Sequence, residues 1–252
     1  MEDTNRTAKN IRTAAIILAA GKGRRMGGDV QKQYMLLDGK PILYYSLKAF
    51  EDSSVDEIIL VTGIDEVDYC RSEIVEKYGF HKVSAIVAGG KERYHSVYEG
   101  LKVLRKREEC TSESNRVEYV LIHDGARPFV DEDMIEQSRA DAMQFGACVI
   151  GMPVKDTIKI ADEAGFAKTT PKRADTWMIQ TPQAFSYELI YGAYEKLMSR
   201  KEYQNGITDD AMVVETMTAC PVKLTMGSYE NIKVTTPEDM EIAAAILNYR
   251  KA

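Results

Sequence analysis

The chain is predicted to be an α/β protein: a mostly parallel sheet with helices on both faces, from which a β-hairpin arm projects. Three observations lead there. Short apolar runs alternate with segments of helical periodicity along the chain. The run Ala14 to Leu18 lacks polar alternation, as a strand covered on both faces does. From Pro153 to Phe185 the rhythm changes to two strand-like pieces around the polar centre Asp162-Glu163-Ala164-Gly165. That change places the arm at about residues 153–183 of a single domain spanning all 252 residues.

Each element has a local reason. Residues 1 to 12 form a polar extension without the apolar region of a signal peptide. After the strand Ala14 to Leu18, Lys40-Pro41-Ile42-Leu43 opens a helix to about Phe50, with Pro41 in the first turn, where its missing N–H costs nothing. Glu57 to Thr62 is the second strand. Asp65 to Tyr78 is helical, with Val67, Cys70, Ile74 and Tyr78 on one face and Gly79 as its stop. Val83 to Val87 is the third strand, followed by a helix from about Ser96 to Arg105. Tyr119 to Ile122 is the next strand, Asp131 caps a helix ending at Gly146, and Ala147 to Met152 is a strand. Beyond the arm come helices from Ser186 to Arg200 and Thr208 to Thr218, a short strand from Val222 to Met226, and a last helix with Thr236 as N-cap and Pro237 behind it.

Bulk properties exclude several classes. A net charge of −6 argues against non-specific binding to nucleic acid or an anionic membrane. No apolar stretch is long enough to span a bilayer. Four scattered cysteines without a C-x-x-C pair read as free thiols in a reducing compartment, which places the chain in the cytoplasm. There is no G-x-S-x-G, no H-E-x-x-H and no nucleophile–base pair.

The chemistry gathers at strand ends. Ala19-Ala20-Gly21-Lys22-Gly23-Arg24-Arg25-Met26 follows the first strand directly. Small residues let the backbone turn and approach a ligand, and successive N–H groups there make an anion site. Lys22, Arg24, Arg25 and Lys32 add cations, so the stretch suggests a triphosphate site. It is neither a P-loop nor a dinucleotide fingerprint, because Met26 stands where the third glycine would be. Gly89 to Arg93 and Asp124 to Arg127 mark two further strand ends, where open α/β sheets bind ligands. Asp124 beside a triphosphate is placed to coordinate Mg²⁺; an N-cap or an ion pair with Arg127 is the alternative. His123 reads as a packed histidine, and His81 and His95 receive no role. A phosphate monoester, with its second pKa near ~6, is already an anionic nucleophile at pH 7. Joining two phosphate compounds therefore needs cations rather than a proton-shuttling residue.

Seven motifs in order, LAAGKGRRMG with QKQY, AGGKERYHSV, LIHDGARPF, PVKDTIK, TPQAF, TDDA and ENIKVTTPEDM, resemble the 2-C-methyl-D-erythritol 4-phosphate cytidylyltransferases over about residues 13 to 248. The resemblance implies a Rossmann-like fold, transfer of CMP from CTP to the sugar-alcohol phosphate with release of pyrophosphate, dependence on Mg²⁺, and a homodimer whose hairpin arms embrace. Carried over, Ala19, Ala20, Gly21 and Gly23 line the CTP phosphates, and Arg25 and Lys32 stabilise charge at the α-phosphate. Gly90 and Ser96 hold the cytidine, with Asp124 and Gly125 beside the nucleotide. Asp124, Arg127, Thr157, Arg173, Thr181 and Lys233 fall on acceptor positions, with Arg173 and Lys233 among the catalytic set and Arg173 reaching the neighbouring subunit. Read singly, Lys32, Arg173 and Lys233 are surface cations, and Thr157 and Thr181 are strand threonines. Gln31 stands where the family more often has proline, a change in loop stiffness rather than chemistry. A ribitol 5-phosphate cytidylyltransferase and a non-catalytic nucleotide-binding regulator are the rival readings.

Overall fold

The computed structural model describes residues 11–21, 31–108 and 116–251. The elements in order are β1 (Arg12–Ala19), the short pair β2 (Leu36–Leu37) and β3 (Lys40–Pro41), α1 (Ile42–Asp52), β4 (Glu57–Thr62), and α2 (Val67–Tyr69), which runs on as a π-helical stretch (Cys70–Glu76). Then come β5 (Val83–Ala88), α3 (Arg93–Glu108), β6 (Val117–Asp124), α4 (Glu132–Phe145) and β7 (Ala147–Pro153). The hairpin strands β8 (Ile160–Ala161) and β9 (Ala167–Thr169) precede β10 (Trp177–Ser186), α5 (Tyr187–Ser199), α6 (Asp210–Met217), β11 (Lys223–Met226) and α7 (Pro237–Lys251).

Seven strands form one mixed sheet in the order β11-β7-β10-β6-β1-β4-β5. β5, β4, β1 and β6 run parallel, and β11 runs parallel to β7. The alternation of Cβ along β1 explains its unbroken apolar run. Ala14 and Ile16 face Val97, Leu101 and Tyr194, whereas Ala15 and Ile17 face Leu43, Leu47 and Ile135. Both faces are therefore dry, and each fully buried Ile or Leu contributes about 1.5–3 kcal/mol. A third cluster seats α7 through Ala243 on Leu37, Ile42, Phe129 and Val234.

Local signals hold where the sequence reading placed them at α4. Asp131 accepts the Met134 N–H at 3.0 Å, and Gly146 ends the helix at φ 82°. Three expectations need correction. Pro41 lies in β3 with ψ 145°, so the helix starts one residue later, at Ile42. The segment after Gly63 is a 3₁₀ turn, a short α-helix and a π stretch rather than one regular helix. The return strand Trp177–Ser186 is not in the arm. It lies antiparallel between β6 and β7 in the central sheet, and β8 and β9 pair with each other as a separate two-stranded sheet. Residues 1–10 of the polar extension lie outside the described residues, while Arg12 already belongs to β1. Among the described residues Cys70, Cys148 and Cys220 are free thiols.

Candidate active site

The carboxyl ends of β1, β5 and β6 meet at one edge. Two glycines permit this approach. A Cβ on Gly89 would stand 2.6 Å from Ser96 Oγ and 2.7 Å from Ala20 Cβ, and one on Gly125 would stand 2.7 Å from Leu43 Cδ1. Gly90 N–H donates to Ser96 Oγ at 3.2 Å, so Ala20, Gly90 and Ser96 are neighbours. Lys32 begins a 3₁₀ turn (Lys32–Tyr34), and its Cε passes 3.9 Å from where a Gly21 Cβ would be.

Asp124 ends β6 and is 7% exposed. Lys233 Nζ lies 2.7 Å from its Oδ2, Arg93 Nε 3.3 Å from its Oδ1, and Arg127 Nε 4.0 Å from its Oδ2. Burial alone would raise this carboxyl's pKa. The three cations outweigh burial and hold it well below the usual carboxylate range. Arg93 also grips the fully buried Asp210 with both terminal nitrogens, at 2.8 and 2.7 Å, and Tyr194 donates to the same carboxylate at 2.6 Å. Arg127 in turn donates to the Asn231 carbonyl at 2.7 Å.

His123 is a brace and not a base. Its Nε2 faces the Arg127 carbonyl oxygen at 3.2 Å, so that nitrogen carries the proton and Nδ1 accepts from Thr181 Oγ1 at 3.0 Å. Burial pushes the imidazole down to about 4, so it is neutral at pH 7. The Thr181 hydroxyl accepts the Asp124 N–H at 3.1 Å. With its proton on His123 and a lone pair on Asp124, Thr181 fastens the bulged part of β10 to the end of β6. The resemblance assigns Thr181 to the acceptor phosphate; in the structure its hydroxyl is engaged by Asp124 and His123.

The structure thus gathers Ala19, Ala20, Gly21, Lys32, Gly90, Ser96, Asp124, Gly125, Arg127, Thr181 and Lys233 along one edge. Thr157 and Arg173 stand elsewhere, exposed beside the hairpin, and take no part in the Asp124 cluster. Gly23 and Arg25 lie outside the described residues. Arg93 and Asp210 were missed as site residues. Both sit in quoted motifs, AGGKERYHSV and TDDA, but only the fold shows that they are partners. A cavity of about 340 Å³ bounded by Lys196, Tyr203, Met212 and Thr216 shares no residue with this cluster. Among the described residues no group of three His, Cys, Asp or Glu side chains converges as a metal site, and no helix is long and apolar enough to cross a membrane.

A strand end at Gly21 whose sequence suits phosphates, Lys32 beside that glycine and a carboxylate ringed by cations can hold two anions side by side without a nucleophilic side chain. That is the arrangement of a nucleotidyltransferase. The model of the family described as IspD, 2-C-methyl-D-erythritol 4-phosphate cytidylyltransferase, matches residues 13–249. A curated relative of that name from Lachnoclostridium phytofermentans is 48% identical over 237 residues, 94% of this chain and 96% of the relative. Another from Alkaliphilus oremlandii is 47% identical, over 95% of this chain and 97% of its own. The crystal structure of 4-diphosphocytidyl-2C-methyl-D-erythritol synthase from Anaerococcus prevotii superposes with a TM-score of 0.79 at 35% identity, covering 95% and 97% of the two chains. The chain belongs to the 2-C-methyl-D-erythritol 4-phosphate cytidylyltransferase family.

Proposed function

We propose that the enzyme transfers CMP from CTP to 2-C-methyl-D-erythritol 4-phosphate. The products are 4-diphosphocytidyl-2-C-methyl-D-erythritol and pyrophosphate, a step in making isoprenoid precursors without mevalonate. The family match over residues 13–249 carries this reading, and the strand edge supplies chemistry that suits it. The CTP phosphates lie along Ala19, Ala20, Gly21 and Gly23, and the base lies against Gly90 and Ser96. Arg127 and Lys233 take the acceptor phosphate, with Thr157 and with Arg173 from a second subunit of a homodimer. An oxygen of the acceptor phosphate attacks the α-phosphorus. A new P–O bond forms as the bond to the bridging oxygen breaks, and the electron pair leaves with pyrophosphate. Arg25 and Lys32 neutralise charge at the α-phosphate. The free thiols Cys70, Cys148 and Cys220 suit a reducing cytoplasm.

Mg²⁺ fits this donor set. It takes one or two carboxylates and completes its shell with phosphate oxygens and water, and Asp124 is one carboxylate at a phosphate edge. Its Oδ2 partner Lys233 has a side chain 36% exposed, free to turn from Asp124 to an incoming phosphate. When bound, the ion would supply Lewis-acid neutralisation of phosphate charge.

Incubating the protein with CTP, Mg²⁺ and either acceptor, followed by phosphorus NMR, tests the reading. Pyrophosphate release with methylerythritol phosphate is expected. A preference for ribitol 5-phosphate, or no release with either acceptor, overturns it. Lys32→Ala is expected to lower kcat by about 10²–10³, the loss seen when one charge-stabilising donor is removed. Full kcat in that variant removes Lys32 from the mechanism.

A further inference from the structure

The turn that carries Lys32 is tied down on both flanks. Glu66, in the 3₁₀ turn after β4, accepts the side-chain amide of Gln31 on Oε1. On Oε2 it accepts the Tyr34 hydroxyl at 2.8 Å and the Gly63 N–H at 3.1 Å. The Gln33 amide donates to Gln31 Oε1 and to the Ala19 carbonyl, each at 2.6 Å. Tyr34 also lies 3.1 Å from Cys70 Sγ, and its ring meets Tyr69 edge-on at 5.1 Å. Burial foremost keeps its phenol protonated, so it stays a donor to Glu66. The carboxylate has room only because residue 63 is glycine: a Cβ there would stand 2.7 Å from Glu66 Cδ. These contacts join the end of β1, the Lys32 turn and the exit of β4.

We propose that Glu66 is a positioning residue. Through Gln31 and Tyr34 it fixes the turn that aims Lys32 at the α-phosphate. The inference rests on the charge-stabilising role of Lys32. Gln31 supplies a second argument that is specific to this chain. Its φ of −68° is the value a proline ring imposes. A proline at position 31 would hold the same φ and make the tether unnecessary.

The test is steady-state kinetics and thermal unfolding of the full chain as Glu66→Ala, Tyr34→Phe, Lys32→Ala and the double variant Gln31→Pro, Glu66→Ala. Glu66→Ala is expected to lower kcat about 10- to 100-fold, the cost of a misplaced catalytic group, with the KM for the acceptor unchanged. Tyr34→Phe, which keeps the ring and loses one tether, is expected to show a smaller loss of the same kind. Gln31→Pro is expected to recover most of the kcat lost in Glu66→Ala. Two outcomes overturn the proposal while Lys32→Ala is inactive: wild-type kcat in Glu66→Ala, or a loss that follows melting temperature and is not recovered by Gln31→Pro. Full activity in Lys32→Ala instead defeats the role of Lys32 beneath it.

Discussion

Asp124 faces three cations. The carboxylate prevents Lys233, Arg93 and Arg127 from repelling one another. Removing one partner of such a buried set leaves charge uncompensated, at a cost of about 3–5 kcal/mol. Asp124→Asn is therefore expected to lose stability on that scale in urea titration as well as losing turnover. His123 adds a pH dependence of known sign. Burial moves its pKa from 6.5 to about 4, so between those values the unfolded chain holds a proton that the fold rejects. Its contribution is complete above pH 6.5 and drains away as pH falls towards 4. His123→Gln is expected to flatten the fall of unfolding free energy across that window. An unchanged slope assigns the window to other groups.

At the scale of elements, β10 is the informative strand. It pairs with β7 through Trp177–Ile179 and again from Gln183, with a register shift between. The interrupted residues Gln180 to Pro182 carry Thr181 to the end of β6. Thr181→Val keeps the shape and strands the Asp124 N–H and His123 Nδ1. A loss of about 1–3 kcal/mol in unfolding free energy is expected; a neutral result would show that water takes the place of the hydroxyl. The same strand shows how far sequence reading reaches. Glu57–Thr62 and the capped helix ending at Gly146 were legible because apolar runs and caps are local. The partner of Trp177–Ser186 was not, because pairing is set across the sheet and the exposed Met178 and Ile179 suit an arm equally well. For the site, strand-end motifs pointed to Asp124 and Lys32. Arg93 with Asp210, 117 residues apart, needed the fold, and so did the engagement of Thr181 by His123.

At the scale of the whole molecule, a net charge of −6 means that only a local concentration of cations can hold two anions. The edge around Asp124 has Lys233 and Arg127, but Arg173 lies in the exposed 3₁₀ turn before β10 and does not join them. The same region exposes Ile158, Ile160, Phe166, Met178 and Ile179, apolar surface of the kind that marks an interaction site. In the homodimer we propose, the arm covers that surface and delivers Arg173 to the partner's site. Mixing two inactive variants tests this directly. Lys32→Ala retains Arg173, and Arg173→Ala retains Lys32. With random exchange, half the dimers are mixed, and each mixed dimer has one site combining an intact Lys32 with an intact Arg173 from the other subunit. About one quarter of wild-type activity is then expected to return, as isologous two-fold pairing requires. If each chain instead supplied its own Arg173, no mixed site would be intact and the mixture would stay inactive. Native mass spectrometry of differently tagged subunits in parallel separates failure to exchange, in which no mixed dimer forms, from an arm that serves its own subunit.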